Sequence, residues 1–248
     1  MICFVIILLA TTTSVTSVTL KCVNYVSLIN KKYSCRVIDY EVEQKTSETI
    51  ITEVVGNDVE GWTFGDVQQL YINNQTMIAI PNGLHENFPQ LLKITLWNSK
   101  LENIQGKNFQ GLNHLVELYL SHNLISSINE TVFRSLRNLE VLVLSYNRIS
   151  KLNSKIFKEL KNLKIIELKS NKLEVIESNL FQHNRNLQEI ELSSNNIKKI
   201  EPEMLLELNS FRMINLQGNK CIDQLFMLNF NYKTVVDIVN EISFNCSS

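Results

Sequence analysis

A pattern of leucine, isoleucine and asparagine returns every 24 residues between Leu115 and Asn219 without an insertion. Each unit has an apolar residue at its first position, numbered offset 0, and again at offsets 3 and 5. Asparagine stands at offset 8 each time. The units begin at Leu115, Leu139, Leu163, Leu187 and Phe211, and their asparagines are Asn123, Asn147, Asn171, Asn195 and Asn219. A fixed period of this length predicts a solenoid, in which neighbouring units bury each other's apolar faces.

Two further units precede this run and keep most of its apolar positions. One begins at Leu91 and has Ser99 in place of the asparagine, and the other begins at Val67 and has Gln75 there. Terminal units of a repeat array are commonly atypical. We therefore expect about seven repeats over residues 67–220.

Each unit should supply one short strand to a common sheet. Offsets 0, 3 and 5 face inward along that strand, and offsets 2, 4 and 6 face outward. Stacked strands give a curved parallel sheet, and the offset-8 amide can bond unpaired backbone groups of neighbouring turns. A second apolar column at offset 18 should pack behind the sheet: Phe109, Phe133, Phe157, Phe181 and Leu205. Asn184 replaces a leucine at offset 21 and predicts a local irregularity.

Cysteines flank the repeats in two pairs, Cys22 with Cys35 before them and Cys221 with Cys246 after them. Four cysteines allow three pairings, but the intervening solenoid keeps its ends apart, which favours a disulfide within each pair. A zinc site is the competing interpretation, although these spacings match no compact metal clip. We expect disulfide-closed caps over residues 18–66 and 221–248.

The caps should cover the exposed apolar ends of the array. In the N-terminal cap, the pattern predicts an edge strand over residues 35–42 and a second strand over residues 49–55. In the C-terminal cap, residues 233–242 predict an amphipathic helix. Its apolar stripe is Val235, Val236, Val239 and Ile242.

The first ten residues are almost wholly apolar and precede a hydroxyl-rich run, which is typical of a secretory signal peptide. We expect residues 1–17 to be removed, with cleavage after Ser17 and loss of Cys3. The apolar run is too short to span a membrane, so we expect no membrane insertion. Three sequons, at Asn74, Asn129 and Asn245, are compatible with a secreted glycoprotein.

Charge and motifs exclude several classes of function. The net charge of -1 predicts no broad basic field, which disfavours nucleic acid and anionic membranes as partners. No G-x-S-x-G, H-E-x-x-H, P-loop or Gly-rich dinucleotide turn is present. The histidines, His85, His114, His122 and His183, are scattered, and we interpret them as solvated surface residues. The sequence therefore predicts no enzyme, catalytic residue, metal or cofactor.

Function should reside on the outward offsets of the concave sheet, which do not serve the core. They give an apolar patch of Tyr71, Trp97, Tyr119, Val141, Val143 and Ile165, and an acidic patch of Glu167, Glu189 and Glu191. Exposed aromatic side chains are typical binding anchors, and carboxylates favour a partner that presents Lys or Arg. The competing interpretations are strand propensity for the apolar residues and a solvated face for the glutamates.

The repeat spacing resembles L-x-x-L-x-L-x-x-N-x-L of the leucine-rich repeat, in its typical 24-residue extracellular subclass. With its cysteine pairs and apolar N-terminus, the chain resembles small secreted leucine-rich-repeat proteins of animals, insect ones among them. The resemblance implies an α/β solenoid shaped as a horseshoe, with a parallel concave sheet. It also implies binding of proteins, peptides or glycans in adhesion, developmental signalling or innate immunity.

We therefore expect a secreted, extracellular recognition module whose concave face captures a protein ligand or a receptor ectodomain. A glycan is a further candidate ligand. The alternative is a structural or matrix component that self-associates through the same apolar patch, for example as a homodimer.

Overall fold

The computed structural model describes residues 16–26, 32–42, 49–56, 59–77, 79–228 and 233–246. Most of the expected signal peptide, including Cys3, lies outside the described residues. Within the described part of the chain, no helix combines the length and the apolar character needed to cross a membrane.

The N-terminal cap is a three-stranded extension of the sheet. Strand β1 (Thr16–Val26) pairs antiparallel with β2 (Tyr33–Val42) and parallel with β3 (Thr49–Gly56). The sequence predicts β2 and β3 but not β1. The prediction of an edge strand at residues 35–42 is wrong, because β1 covers one side of β2 and the first repeat pairs with the other. Strand β3 is the edge instead.

The N-terminal disulfide joins the two antiparallel strands of this cap. Cys22 on β1 and Cys35 on β2 have Cα atoms 5.4 Å apart. Both side chains are buried against the first repeat. The expected cleavage after Ser17 stays a prediction; it would remove only the first two residues of β1.

Seven three-residue strands follow at 24-residue intervals and stack in parallel, offset against equal offset. They bound six full turns of the solenoid, in agreement with about seven repeats. The strands of the repeats are β4 (Gln69–Tyr71), β5 (Lys93–Thr95), β6 (Glu117–Tyr119), β7 (Val141–Val143), β8 (Ile165–Glu167), β9 (Val175–Ile176), β10 (Glu189–Glu191), β11 (Lys199–Ile200) and β12 (Met213–Asn215). Of these, β9 and β11 form a separate two-stranded sheet.

Short helical turns complete the repeats. They are α1 (Leu84–Asn87) and three 3-10 helices, Phe64–Asp66, Gly106–Phe109 and Pro202–Glu207.

The core lies between the sheet and a stack of phenylalanine rings, as the sequence predicts. Phe109, Phe133, Phe157 and Phe181 are each at most 1% exposed. Neighbouring ring centroids in this column are 6.2, 6.3 and 5.7 Å apart. Rings at these separations interact beyond the effect of burying their area, so the column stabilises the back of the solenoid.

The offset-8 asparagines bond backbone groups of two turns, which confirms the predicted role. The Asn147 amide nitrogen donates to the carbonyl oxygens of Leu120 and Leu144, both at 2.9 Å. Its side-chain oxygen accepts the Ile125 N–H at 3.1 Å. In the unit that begins at Leu91, serine stands at offset 8. The Ser99 hydroxyl replaces one of these hydrogen bonds by donating to the Ile72 carbonyl at 2.9 Å.

The irregularity predicted at Asn184 is not observed, and β8 and β10 on either side of it stay in register. The Asn184 side chain is fully buried and donates to the carbonyl oxygens of Phe157 and Leu160 at 3.0 and 2.7 Å. Hydrogen bonds thus replace the apolar packing of the missing leucine.

The C-terminal cap contains strand β13 (Leu225–Met227), antiparallel to β12, and helix α2 (Val235–Cys246). The helix packs on the 3-10 turn Pro202–Glu207 and on β11. The second predicted disulfide is present, with the Cα atoms of Cys221 and Cys246 5.1 Å apart.

The cap helix begins with a reciprocal cap. The Thr234 N–H donates to the Asp237 carboxylate at 2.8 Å, and the Asp237 N–H donates to the Thr234 hydroxyl at 3.2 Å. Its buried face consists of Ile238, Val239, Ile242 and Cys246. Val236, which the sequence places on the apolar stripe, is instead 56% exposed.

Candidate functional site

Strand register assembles the predicted concave surface in two adjacent rows. One row holds Tyr119, Val143, Glu167 and Glu191, and the other holds Val141, Ile165 and Glu189. The apolar and acidic patches therefore meet along β7, β8 and β10. Side chains of both rows are half-buried, apart from Val143.

Val143 does not offer the exposed anchor that its offset predicts. Its side chain is only 5% exposed. The register places it between the longer side chains of Tyr119 and Glu167, which stand beside it in the same row. A valine between longer neighbours contributes to the floor of the surface rather than to its contact area.

Tyr119 belongs to a polar network with the preceding strand. The Lys93 ammonium lies 2.7 Å from the Glu117 carboxylate and 4.3 Å from the centroid of the Tyr119 ring. The Tyr119 hydroxyl donates to the same carboxylate at 3.1 Å. These contacts fix the tyrosine ring in place, which lowers the entropy cost of ordering it against a partner.

The same network shifts the pKa values of Glu117 and Tyr119. Burial alone would raise the pKa of the Glu117 carboxyl, but the Lys93 bond and charge and the Tyr119 hydroxyl hold that pKa below its usual value. Burial, with the adjacent Glu117 charge, raises the pKa of the Tyr119 phenol. The pair is therefore charged at Glu117 and neutral at Tyr119 at physiological pH.

Tyr71 lies at the N-terminal end of the concave face. Its hydroxyl donates to the Gln69 side-chain oxygen at 3.1 Å, and the Ser34 hydroxyl donates to the same oxygen at 3.1 Å. Tyr71 is thus tied to the cap strand β2 rather than to the centre of the sheet.

The acidic patch brings three carboxylates close together. Burial raises the pKa of the Glu167 carboxyl, and the neighbouring charges of Glu191 and Glu189 raise it further. Glu191 accepts the Asn215 amide at 2.9 Å. Within the described residues, none of the three carboxylates forms a salt bridge.

Trp97 makes ring contacts with a residue outside the predicted apolar patch. Its ring packs edge-on against His122 with centroids 5.3 Å apart, and His122 stacks on Tyr146 at 4.2 Å. The Trp97 and Tyr146 side chains are 40% and 43% exposed. We call this row of three rings, which crosses three repeats at the rim of the concave face, the aromatic ledge.

The backbone at offset 7 accounts for two of the three rings of the ledge, His122 and Tyr146. All seven residues there have positive φ, near 60°: Asn74, Asn98, His122, Tyr146, Ser170, Ser194 and Gly218. Glycine and asparagine accept this left-handed conformation readily, but a tyrosine there costs about 1–2 kcal/mol. That strain and the exposed ring of Tyr146 are features that core packing does not require.

Sequence reasoning missed Tyr146 and treated His122 as isolated. The available signal was the alignment of offset 7 across repeats, in which asparagine and glycine mark a turn and His and Tyr stand consecutively. Their stacking could not be derived from spacing alone, because it depends on the direction that the left-handed backbone gives the side chains.

The remaining predicted site residues lie on the surface. The sequon asparagines Asn74, Asn129 and Asn245 are all exposed, and their glycosylation stays a prediction. Across the described ranges, no group of three or more His, Cys, Asp or Glu side chains could hold a metal ion.

The family model for the leucine rich repeat matches residues 89–149, 137–188 and 161–220. Together these matches span residues 89–220, more than half of the 248-residue chain. The chain belongs to the leucine-rich-repeat family. The search of curated protein sequences gives no match.

Solved leucine-rich-repeat structures resemble the chain at low identity. A chain of the insect LRIM1/APL1C complex is 26% identical with a TM-score of 0.63, over 81% of this chain and 35% of that one. The insect APL1 leucine-rich repeat domain is 25% identical with a TM-score of 0.61, over 81% and 48%. The TLR13–ssRNA13 complex gives 26%, a TM-score of 0.51, and coverage of 62% and 25%.

This leucine-rich-repeat chain spans less than half the length of each of these neighbours. Two of the three neighbours are described as complexes, one of LRIM1 with APL1C and one of TLR13 with single-stranded RNA.

Proposed function

We propose that the chain is a secreted recognition module that binds a protein ligand or a receptor ectodomain in adhesion, signalling or innate immunity. The binding surface consists of the concave rows of β6, β7, β8 and β10 together with the aromatic ledge. The two disulfides suit an extracellular protein, because disulfides persist in oxidising compartments.

The aromatic ledge is the observation that carries this proposal. Its outer rings, Trp97 and Tyr146, expose large apolar area without serving the core. Tryptophan and tyrosine dominate the binding energy of protein interfaces, and rings already held by stacking lose little entropy on binding. The acidic patch beside the apolar row favours a partner with Lys or Arg at the matching position.

One neighbour supports the choice of a protein partner. The LRIM1/APL1C structure is a complex of two proteins, and its likeness covers most of this chain. The absence of a nucleic-acid partner stays a prediction, because the TLR13 neighbour is a complex with RNA.

The test is the double substitution Trp97→Ala with Tyr146→Ala. A partner is first identified by cross-linking in the native extracellular fluid, and its affinity is then measured with purified proteins by calorimetry. We expect at least about tenfold weaker binding, because a few such aromatic anchors typically supply most of the binding energy of an interface.

Phe244→Ala is the matched control. Phe244 is an aromatic residue 89% exposed on helix α2, away from the ledge. Phe244→Ala should leave the affinity unchanged, and circular dichroism should show the same fold for this variant and for the ledge variant. Equal affinity for the ledge variant and the unmodified protein would refute the ledge as a binding surface.

Self-association is the second candidate, and β13 favours it. Among the described residues this strand ends the sheet, and it exposes Leu225 and Met227 at 39% and 43%. An unpaired edge with apolar side chains can pair with a second chain. Sedimentation equilibrium would show a dimer that Leu225→Lys abolishes, whereas a monomer at high concentration would rule this candidate out.

A further inference from the structure

Five exposed cations cluster away from the concave face, in the part of the repeats between offsets 16 and 22. They are Arg134, Arg137, Lys155, Lys158 and Lys161, which we call the basic patch. The net charge of -1 for the whole chain gives no sign of this local excess.

The five cations form one continuous surface. Arg134, Lys155 and Lys158 line a single groove of about 210 Å³, and Arg134 lines a second groove with Arg137. The Asn162 amide donates to the Arg137 carbonyl at 3.2 Å, which places its neighbour Lys161 beside Arg137, one repeat further on.

Among the described residues, these cations form no ion pairs, whereas some other cations of the repeats do. Elsewhere, lysines pair with glutamates of the adjacent repeat, as Lys164 does with Glu140 at 2.8 Å and Lys198 with Glu174 at 3.0 Å. Within the described ranges, no basic-patch side chain forms a salt bridge or hydrogen bond. Glu130 and Glu159 line the first groove but stay beyond salt-bridge distance.

Equal offsets place like charges side by side in the basic patch. Arg134 and Lys158 share offset 19, and Arg137 and Lys161 share offset 22. Neighbouring like charges destabilise a fold. The fold does not require a cation at offset 19, because Gln110 and Gln182 occupy that position in the flanking repeats. A polyanionic ligand in the shared grooves would neutralise this repulsion.

We infer that the basic patch binds a sulfated polysaccharide. Guanidinium and ammonium groups donate to sulfate oxygens, and the neutral side chains Ser135 and Asn138 in the second groove face the same ligand. The choice of a sulfated glycan rests on the extracellular address proposed above; the site itself is separate from the proposed protein-binding surface.

The composition of the patch favours a polysaccharide over other polyanions. The only aromatic residues among residues 129–138 and 153–162 are Phe133 and Phe157, and both are buried, so no ring is free to stack on a nucleobase. Ile156 lines the first groove but is only 2% exposed, so no apolar side chain is free to enter a lipid surface.

The experiment measures binding of a heparin oligosaccharide by calorimetry at two salt concentrations. The series is made in an Asn129→Gln background, because Asn129 is a sequon beside Glu130 and Thr131 of the first groove. Arg134→Gln with Lys158→Gln should weaken binding at least about tenfold and reduce its salt dependence by about two counterions. Glutamine is native to this offset, so the fold should persist in circular dichroism.

The matched control is Arg148→Gln with Lys172→Gln. These two exposed cations also share one offset in adjacent repeats, but neither lines either groove. The control and the ledge variant Trp97→Ala with Tyr146→Ala should both retain heparin affinity within about twofold. Retention by the ledge variant separates a failure here from a failure of the proposed protein binding.

Three results would overturn the inference. One is no heparin binding by the unmodified protein, and another is equal losses in the patch and control variants, which would indicate net charge alone. The third is tighter binding of single-stranded RNA or of phosphatidylserine vesicles at the same salt, lost in the same patch variant, which would reassign the ligand class.

Discussion

In four of the repeats, one buried amide at offset 8 satisfies backbone groups that the solenoid would otherwise leave unpaired. Asn147 is only 8% exposed and provides three donated bonds and one accepted bond, all to main-chain atoms. A shape-matched apolar side chain would fill the space but leave the Ile125 N–H buried without its partner. It would also remove one of the two amide donors from the Leu120 and Leu144 carbonyls, which keep only Asn123 and Asn171. The cost of such orphaned groups, rather than packing, explains asparagine at offset 8.

Asn147→Leu should therefore lower the free energy of unfolding by about 3 kcal/mol, since each unpaired buried group costs about 1–3 kcal/mol. Urea denaturation followed by circular dichroism measures the change. The control is Asn162→Ala, which removes an exposed amide bond at 3.2 Å and should change stability by no more than about 0.5 kcal/mol. Equal effects of the two substitutions would contradict the proposed role of burial.

A second prediction at the residue scale concerns how Glu167 makes stability depend on pH. Burial and the charges of Glu191 and Glu189 raise the pKa of this carboxyl in the folded state, so its ionised form opposes folding. Glu167→Gln should stabilise the protein at pH 7. As the pH falls through the raised folded-state pKa, the unmodified protein takes up this proton and recovers the deficit. The difference should vanish below the pKa of the unfolded chain, about 4.3.

Thermal unfolding of both proteins between pH 3 and pH 8 checks this prediction. Glu130→Gln serves as the control, because Glu130 is an exposed glutamate far from the acidic patch. A difference between Glu167→Gln and the unmodified protein that grows on acidification would have the wrong sign.

At the level of elements, the sequence predicts the repeats better than it predicts the N-terminal cap and the aromatic ledge. The period placed the repeat strands and the phenylalanine column, because identical units must repeat identical contacts. The disulfide pairs followed from the cysteines that flank the array at its two separated ends. Strand β1 was not predicted, since its start overlaps the expected signal peptide. The ledge was not predicted because His122 and Tyr146 contact each other only through a left-handed backbone.

The C-terminal cap gives an element-scale prediction. Cys221 and Cys246 are 25 residues apart in sequence, so removing both by substitution with serine frees a loop of that length in the unfolded state. The free energy of unfolding should fall by about 3 kcal/mol. Thr234→Ala, which removes only the helix cap, should cost about 1 kcal/mol.

Guanidinium denaturation under non-reducing conditions compares these two variants. Limited proteolysis should cut the serine variant within helix α2 before it cuts the repeats. Cleavage that begins in the repeats would show that the disulfide does not hold this helix on the array.

For the whole molecule, a net charge near zero is compatible with separate acidic and basic surfaces. Glu167, Glu189 and Glu191 make one end of the concave face acidic, while the basic patch lies on another side of adjacent repeats. The prediction of no broad basic field was drawn from the net charge and did not address this local arrangement. Sequence alone could align the cations by offset, but only the shared grooves distinguished them from ordinary solvated lysines.

The asparagine ladder also limits how such a chain can change length. Its bonds join residues 22 and 27 positions apart, as from Asn147 to Ile125 and to Leu120. Removing one residue inside a turn would break both bonds at once, whereas removing a whole unit would reconnect each amide to an equivalent partner. The array can therefore be shortened or extended by steps of one complete repeat, while the rim residues can be exchanged singly.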